Sequence, residues 1–484
     1  MGMTSADQLK LASEFDPATR NRWQTLVEKV LRRSGADVDG HDGPVEELLA
    51  SPTYDGFSVE PLYTADDAIS ETGFPGVPPF TRGSRADGAI AAGWDIRQRH
   101  AHPDPAVTRQ AVLTDLEHGV TSLWLVVGPH GVPLDALPNV LSEVYLDLAP
   151  VTLDAGADVA AAARVLLDLH EDKGIQASEV RGNLGADPLG LRARTGRPHE
   201  VETVVELARM AERYEKLRSV VVDALPYHEA GSSDGQELGF ALATAVAYLR
   251  ALTAAGLSVE DAARQLEFRF AATADQFGTI AKLRAARRLW ARVAEVSGVG
   301  TPVPQHAVTS STMLTRRDPW NNMLRTTLAC FSAGVGGADS VTVQPFDAAI
   351  GLPDGFARRI ARNTHTILIE ESRVAGVIDP AGGSWYVERH TDELAKAGWA
   401  VFQEVERAGG LAAALDSGLV EEHVTTVRDA RTARLDAGDE AITGVTVFPN
   451  KDEKPLNRAP EPAQPSGGLP RVRYAEPFEA ALEG

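Results

Sequence analysis

Apolar and polar residues along this chain fall into two periods. Short apolar or β-branched runs occur near 94–97, 122–127, 151–154, 180–183, 217–223, 266–270, 303–307 and 340–344, and each reads as a buried strand. Stretches of helical period lie between them, at 200–214, 237–255 and 280–296. In the last, Leu283, Leu289, Trp290, Val293 and Val296 share one face, with Arg284 and Arg288 on the opposite side. Strands separated by helices pair in parallel through right-handed crossovers. Eight strands close a (β/α)8 barrel, the α/β fold expected here; an open doubly wound sheet is the alternative.

The flanks read differently. Asp16 can cap an N-terminal helix, Pro17 suits its first turn and Gly35 can end it. Trp23, Leu26, Val27, Val30 and Leu31 give that helix one apolar face. Gly, Pro and Asp then dominate to about 93. Beyond the eighth strand, 354–371 and 392–407 are helical, followed by a charged helical segment to about 438. From Val447 to Gly484, repeated prolines and Gly467-Gly468 predict an extended wrapping or linker segment. The expected organisation is therefore 1–93, helix and extended arm; 94–352, barrel; 353–446, helical extension packed on the barrel; and 447–484, Pro-rich linker.

Composition narrows the function. The chain has 484 residues, and 47 Lys+Arg against 68 Asp+Glu leave a net charge of −21. That charge argues against nucleic acid or an anionic membrane as the main partner. Cys330 is the one cysteine, so no internal disulfide can form, and a reducing cytoplasm is expected. No uninterrupted apolar run reaches membrane-spanning length, and the first residues lack a basic-then-apolar leader pattern.

Chemistry in a barrel sits at the C-terminal strand ends. The fifth strand runs into Asp223, Leu225, Pro226, Tyr227 and His228, where a phenol and an imidazole could donate to a substrate carbonyl. A histidine satisfied by a loop carbonyl explains the same residues. His306 near the end of the seventh strand, followed by Thr309, Ser310 and Ser311, forms a second polar cluster, equally readable as a capped helix start. Asp168-x-His170 misses a cobalt-ligating Asp-x-His-x-x-Gly because its glycine, Gly174, falls one residue late, on a helix end. Gly334-Val335-Gly336-Gly337 lacks the third glycine of a dinucleotide fingerprint. Apart from His100-Ala101-His102, in a Pro/Asp-rich loop, the histidines show no metal-ligand spacing.

Four segments are more specific. Phe74-Pro75-Gly76-Val77-Pro78-Pro79-Phe80-Thr81-Arg82-Gly83, the stretch 281–290, Phe356-Ala357-Arg358-Arg359-Ile360-Ala361-Arg362-Asn363-Thr364, and Val377-Ile378-Asp379-Pro380-Ala381-Gly382-Gly383-Ser384-Trp385-Tyr386-Val387-Glu388 resemble signatures of adenosylcobalamin-dependent acyl-CoA mutases. The resemblance runs over nearly the whole chain and is nearest to the small subunits of heterodimeric methylmalonyl-CoA mutases. It implies a barrel threaded along its axis by acyl-CoA, with Thr81, Arg82 and His306 as candidate substrate contacts and Tyr227 and His228 at inherited catalytic positions. It also implies that the tail leads toward a cobalamin-binding domain absent from this sequence. Adenosylcobalamin then belongs to the assembled enzyme and is not held by a cobalt-ligating motif of this chain. The implied partner is a catalytic large subunit in a heterodimer, and acyl-CoA is a further candidate ligand.

The catalytic pattern is kept only in part. Tyr227-His228 matches the Tyr-His of catalytic chains, and His306 matches the histidine of their seventh strand. Arg99 stands where they carry a tyrosine, and Ser84-Arg85-Ala86-Asp87-Gly88-Ala89 lacks both tyrosines of their coenzyme A loop. Gln265 and Glu267 replace an arginine and a serine, and no arginine matches the one that pairs with the substrate carboxylate. An anionic thioester needs such cations. The expectation is a small, non-catalytic subunit. The alternatives are a substrate-binding subunit working with a separate cobalamin protein, and an acyl-CoA sensor or assembly scaffold.

Overall fold

The computed structural model describes residues 16, 18–69 and 72–483. Pro17 lies outside the described residues. By its contacts the chain divides into two units, Met1–Asp67 and Ala68–Gly484.

In the first unit, helix α1 (Arg20–Ser34) starts later than Asp16: the Thr19 side chain accepts from Arg22 N and is the cap. Gly35, at φ 84°, ends the helix as expected, in a conformation that favours glycine. Arg20 and Gln24 both donate to Glu46, tying α1 to the turn Val45–Leu49. Leu31 is buried, but Leu26 and Val30 on the same face remain exposed.

The second unit holds all eight expected strands. They are β1 (Asp95–His100), β2 (Ser122–Val126), β3 (Val151–Asp154), β4 (Arg181–Ala186), β5 (Lys216–Asp223), β6 (Leu266–Ala272), β7 (Gln305–Thr309) and β8 (Ser340–Thr342). Each pairs in parallel with the next, and β8 closes onto β1 through Ser340↔Asp95 and Val341↔Ile96. The fold is a closed (β/α)8 barrel.

Seven helices of this unit position the site and its surroundings: α2 (Val159–Asp172), α3 (Leu225–Glu229), α4 (Asp234–Ala254), α5 (Gln276–Val296), α6 (Asn321–Val335), α7 (Gly355–Thr366) and α8 (Trp385–Arg407). A reciprocal Ser233/Gln236 cap starts α4. By length and composition α4 could cross a membrane, yet most of it is buried, packed against α8. Glycine permits that packing, since a Cβ on Gly239 would stand 2.6 Å from Val401. The α8 layer also changes the reading of α5. Arg284, opposite the apolar face of α5, is thereby buried and pairs with Asp379 and with Glu388. Lys282 and Arg287 are buried on other sides of the helix, by Glu237 of α4 and by the carbonyls of Phe80, Thr81 and Gly336.

The Pro-rich segment lies along the barrel's C-terminal end, held at the exits of β8, β4 and β5. Ala459 O accepts from Leu352 N (2.8 Å), Leu469 N donates to Ala193 O (2.7 Å), and Val472 N donates to Glu229 O (2.7 Å). Arg458 pairs with Asp347 (2.5 Å).

Candidate active site

The barrel axis is filled by charged side chains. Arg97 points inward from β1 and pairs with Glu267 of β6 across the interior. Asn183 of β4 donates to the other Glu267 oxygen (3.1 Å), and Arg97 Nε donates to Ser122 Oγ on β2 (3.2 Å). Ser122 in turn donates to Asp95 (2.5 Å). All four strands thus feed one buried ion pair and its hydrogen bonds. Burial opposes the charge on Glu267, but Arg97 and Asn183 outweigh it and leave the carboxyl below its ordinary range. Arg97 is raised by Glu267 and Asp95 against the same burial penalty.

A second layer sits above this plug. Trp124 of β2 lies beneath the Arg269 guanidinium, 4.1 Å from the ring centroid, with Arg99 at 5.4 Å and His306 edge-on at 5.5 Å. Arg269 is spent on Asp223 (3.1 Å) and on His306 Nδ1 (3.2 Å). Because Nδ1 accepts from arginine, His306 carries its proton on Nε2 and donates to Thr342 Oγ1 (2.8 Å), which donates to Arg97 O (2.7 Å). Burial, reinforced by Arg97 and Arg269, holds His306 well below its ordinary pKa. His306 is therefore a neutral strut between the two layers, and the axial passage implied by the resemblance is occupied by side chains.

Tyr227 and His228 lie together on α3, both buried. His228 Nε2 is 2.7 Å from Ser310 Oγ, and its Nδ1 lies 3.3 Å from Glu237 Oε2. Glu237 accepts from Lys282 (2.7 Å) and from Ala271 N (2.8 Å). Burial pulls the Glu237 carboxyl up, but Lys282 outweighs it and leaves it below its ordinary value. The order Ser310, His228, Glu237 is that of a nucleophile, base and acid relay. Ser310 is 2 % exposed and also accepts from Thr312 N, so the relay is sealed. Among the described residues the buried Tyr227 hydroxyl has no hydrogen-bond partner; neighbouring Thr244 donates its own proton to Phe240 O. Burial and Asp187 push the phenol up, so it stays protonated.

Thr81 and Arg82 sit elsewhere, at the N-terminal end of the barrel. Thr81 is buried, its carbonyl held by Arg287, and the half-buried Arg82 pairs with Asp379 (2.9 Å). Nearby, Ser84 donates to Asp339 just before β8. The structure thus brings Tyr227 and His228 together at one end, leaves His306 inside, and places Thr81 and Arg82 at the other. Sequence reasoning missed Trp124, Arg269 and the Lys282–Glu237 pair, and it placed Ser310 in the cluster after His306 rather than beside His228. One signal was available: Leu266-Glu267-Phe268-Arg269-Phe270 alternates charge with apolar residues on a strand that a barrel covers on both faces.

A cavity of about 660 Å³ remains at the C-terminal mouth, lined by Arg99, Trp124, Asp154, Arg194 and Arg269 and bordered by Arg471 of the Pro-rich segment. The near-miss Asp168-x-His170 motif is not placed to ligate cobalt. His170, the histidine of the near-miss motif, is 1 % exposed on α2 with Nδ1 turned to Leu166 O (2.8 Å). Among the described residues no cluster of His, Cys, Asp and Glu is placed to hold a metal.

The methylmalonyl-CoA mutase family profile matches residues 52–128 and 125–464. The methylmalonyl-CoA mutase small subunit of Streptomyces virginiae is 61% identical over 477 residues, covering 98% of this chain and 77% of the relative. A probable methylmalonyl-CoA mutase small subunit of Mycobacterium bovis is 46% identical, covering 95% and 75%. The small subunit from Propionibacterium freudenreichii subsp. shermanii is 42% identical, covering 98% and 76%. The chain belongs to the methylmalonyl-CoA mutase family.

Proposed function

We propose that this member of the methylmalonyl-CoA mutase family is the small, non-catalytic subunit of an adenosylcobalamin-dependent mutase. It docks on and stabilises a catalytic large subunit that interconverts (R)-methylmalonyl-CoA and succinyl-CoA. The observation that carries this reading is the filled axis. A thioester threading the barrel would have to separate Arg97 from Glu267 and displace Trp124 from under Arg269. Breaking one such buried pair costs about 3–5 kcal/mol. Two of the groups that could act on a substrate are already engaged, His228 Nε2 with Ser310 and Arg269 with Asp223 and His306, and the Tyr227 hydroxyl is buried. The small-subunit names of the relatives support a large partner.

The test is mutase turnover with adenosylcobalamin and methylmalonyl-CoA by this chain, by the large subunit and by the mixture. Activity that requires the large subunit, and is higher or longer-lived in the mixture, is expected. Turnover by this chain with only a free cobalamin protein added would overturn the reading. That outcome belongs to the substrate-binding alternative, favoured by the mouth cavity beside Leu225.

A further inference from the structure

We propose that the outward face of α6 and α7 is the surface on which the large subunit docks, an inference that rests on the small-subunit reading above. Helices ringing a barrel turn charged residues outward where water covers them. The α6 face does the reverse. Trp320 at its start, Leu324 and Leu328 follow one another at four-residue spacing on the outside, and Leu324 is 67 % exposed. The one charged residue of α6, Arg325, turns aside to Thr443 O (2.6 Å) and Asn322 Oδ1 (2.8 Å). On α7 and just beyond it, Phe356 and Ile367 lie three turns apart on one face, each 48 % exposed.

The two helices form one surface. The ring of Phe346 lies 5.0 Å from Trp320 and 6.0 Å from Phe356, so aromatic packing runs without a break from one helix start to the other. Phe448, on the turn that Arg325 holds through Thr443, is 85 % exposed. A contiguous apolar face of this kind marks an interaction site.

Charge selects the occupant. Arg359 is exposed on the same side of α7, and no carboxylate pairs with it among the described residues. A second copy of this chain would bring the same arginine and another net charge of −21, so self-association works against repulsion. With Arg359 at one end and the exposed Glu370 and Glu371 at the other, the surface fits a different chain with an apolar centre and a mixed charged edge, and the small-subunit names of the relatives point to the large subunit.

The test measures binding of the purified full chain to the host's large subunit by surface plasmon resonance. The wild type binds. The double variant Leu324→Asp/Leu328→Asp, with unchanged circular dichroism and melting temperature, binds at least about 100-fold more weakly. Arg359→Glu slows association about 10-fold, and the loss shrinks at high salt. Hydrogen exchange of the wild-type complex, which needs no variant, shows new protection at 320–332 and 356–367. If the wild type fails to bind the large subunit, the small-subunit reading itself fails. Three outcomes overturn the docking face alone. One is undiminished binding by the folded double variant without new protection. Another is loss of binding only in Leu26→Asp/Val30→Asp of α1. The third is a homodimer of this chain broken by the double variant.

Discussion

The axis of this barrel and one face of its outer helices depart in opposite ways from the usual chemistry of inside and outside. The axis holds Arg97, Glu267, Arg269 and His306, whereas α6 presents Trp320, Leu324 and Leu328 to solvent. Buried charge persists only where every partner is supplied, and here each group has one: Glu267 for Arg97, Asp223 for Arg269, Thr342 for His306. Exposed apolar surface persists where something else covers it. The contrast separates a closed interior from an open exterior, which is how a subunit that binds a protein rather than a substrate would be arranged.

Variants at Arg97 test the interior most severely. Arg97→Ala leaves Glu267 buried and unpaired, and should destabilise the chain by about 3–5 kcal/mol in urea unfolding. The double change Arg97→Met/Glu267→Leu should recover most of that loss, because it removes both charges. If the single variant cost less than about 1 kcal/mol, the plug would be solvated and the axis open.

Acid tests three buried histidines, His306 on the axis and His100 and His365 between the barrel and its helices. Burial pushes His100 and His365 down to about 3 and, with the neighbouring arginines, holds His306 well below its ordinary value. The folded chain keeps these rings neutral while the unfolded chain protonates them below about pH 6.5. Stability should therefore fall as the pH drops below that point, by roughly 3–4 kcal/mol between pH 7 and 5.5. Glu267 adds a further loss only below the ordinary carboxylate range, because its carboxyl is held low in the fold. A flat profile from pH 7 to 5.5 would mean the three rings reach water.

Smaller effects belong to the helices. Ser233→Ala removes the cap of α4 and should cost about 1 kcal/mol, read as a lower melting temperature. Leu324→Asp should change the stability of the isolated chain by less than about 0.5 kcal/mol, since the side chain is already in water. A large loss there would show that Leu324 is part of the core, erasing the difference between inside and outside.

The barrel was legible because its parallel strands, buried on both faces, read as short apolar runs such as Val220-Val221-Val222. Gly35 was legible as a helix stop from its residue type alone, while the start was not: Thr19 and Asp16 can both cap, and local geometry chose Thr19. The interior was not legible, because the partners lie far apart in sequence: Arg97 and Glu267 are separated by 170 positions. Arg284 reads as the outer side of an amphipathic helix until α8 is known to cover it. The Tyr227-His228 pair was visible, but its enclosure depends on Ser310 and Glu237, which only the fold brings near.

Calorimetric titration of methylmalonyl-CoA and succinyl-CoA into the isolated chain tests the closed axis most directly. The filled barrel predicts no saturable binding below about 1 mM, in wild type and in His228→Ala alike. Micromolar binding that His228→Ala abolishes would contradict it, and would make the barrel of this chain a working substrate site.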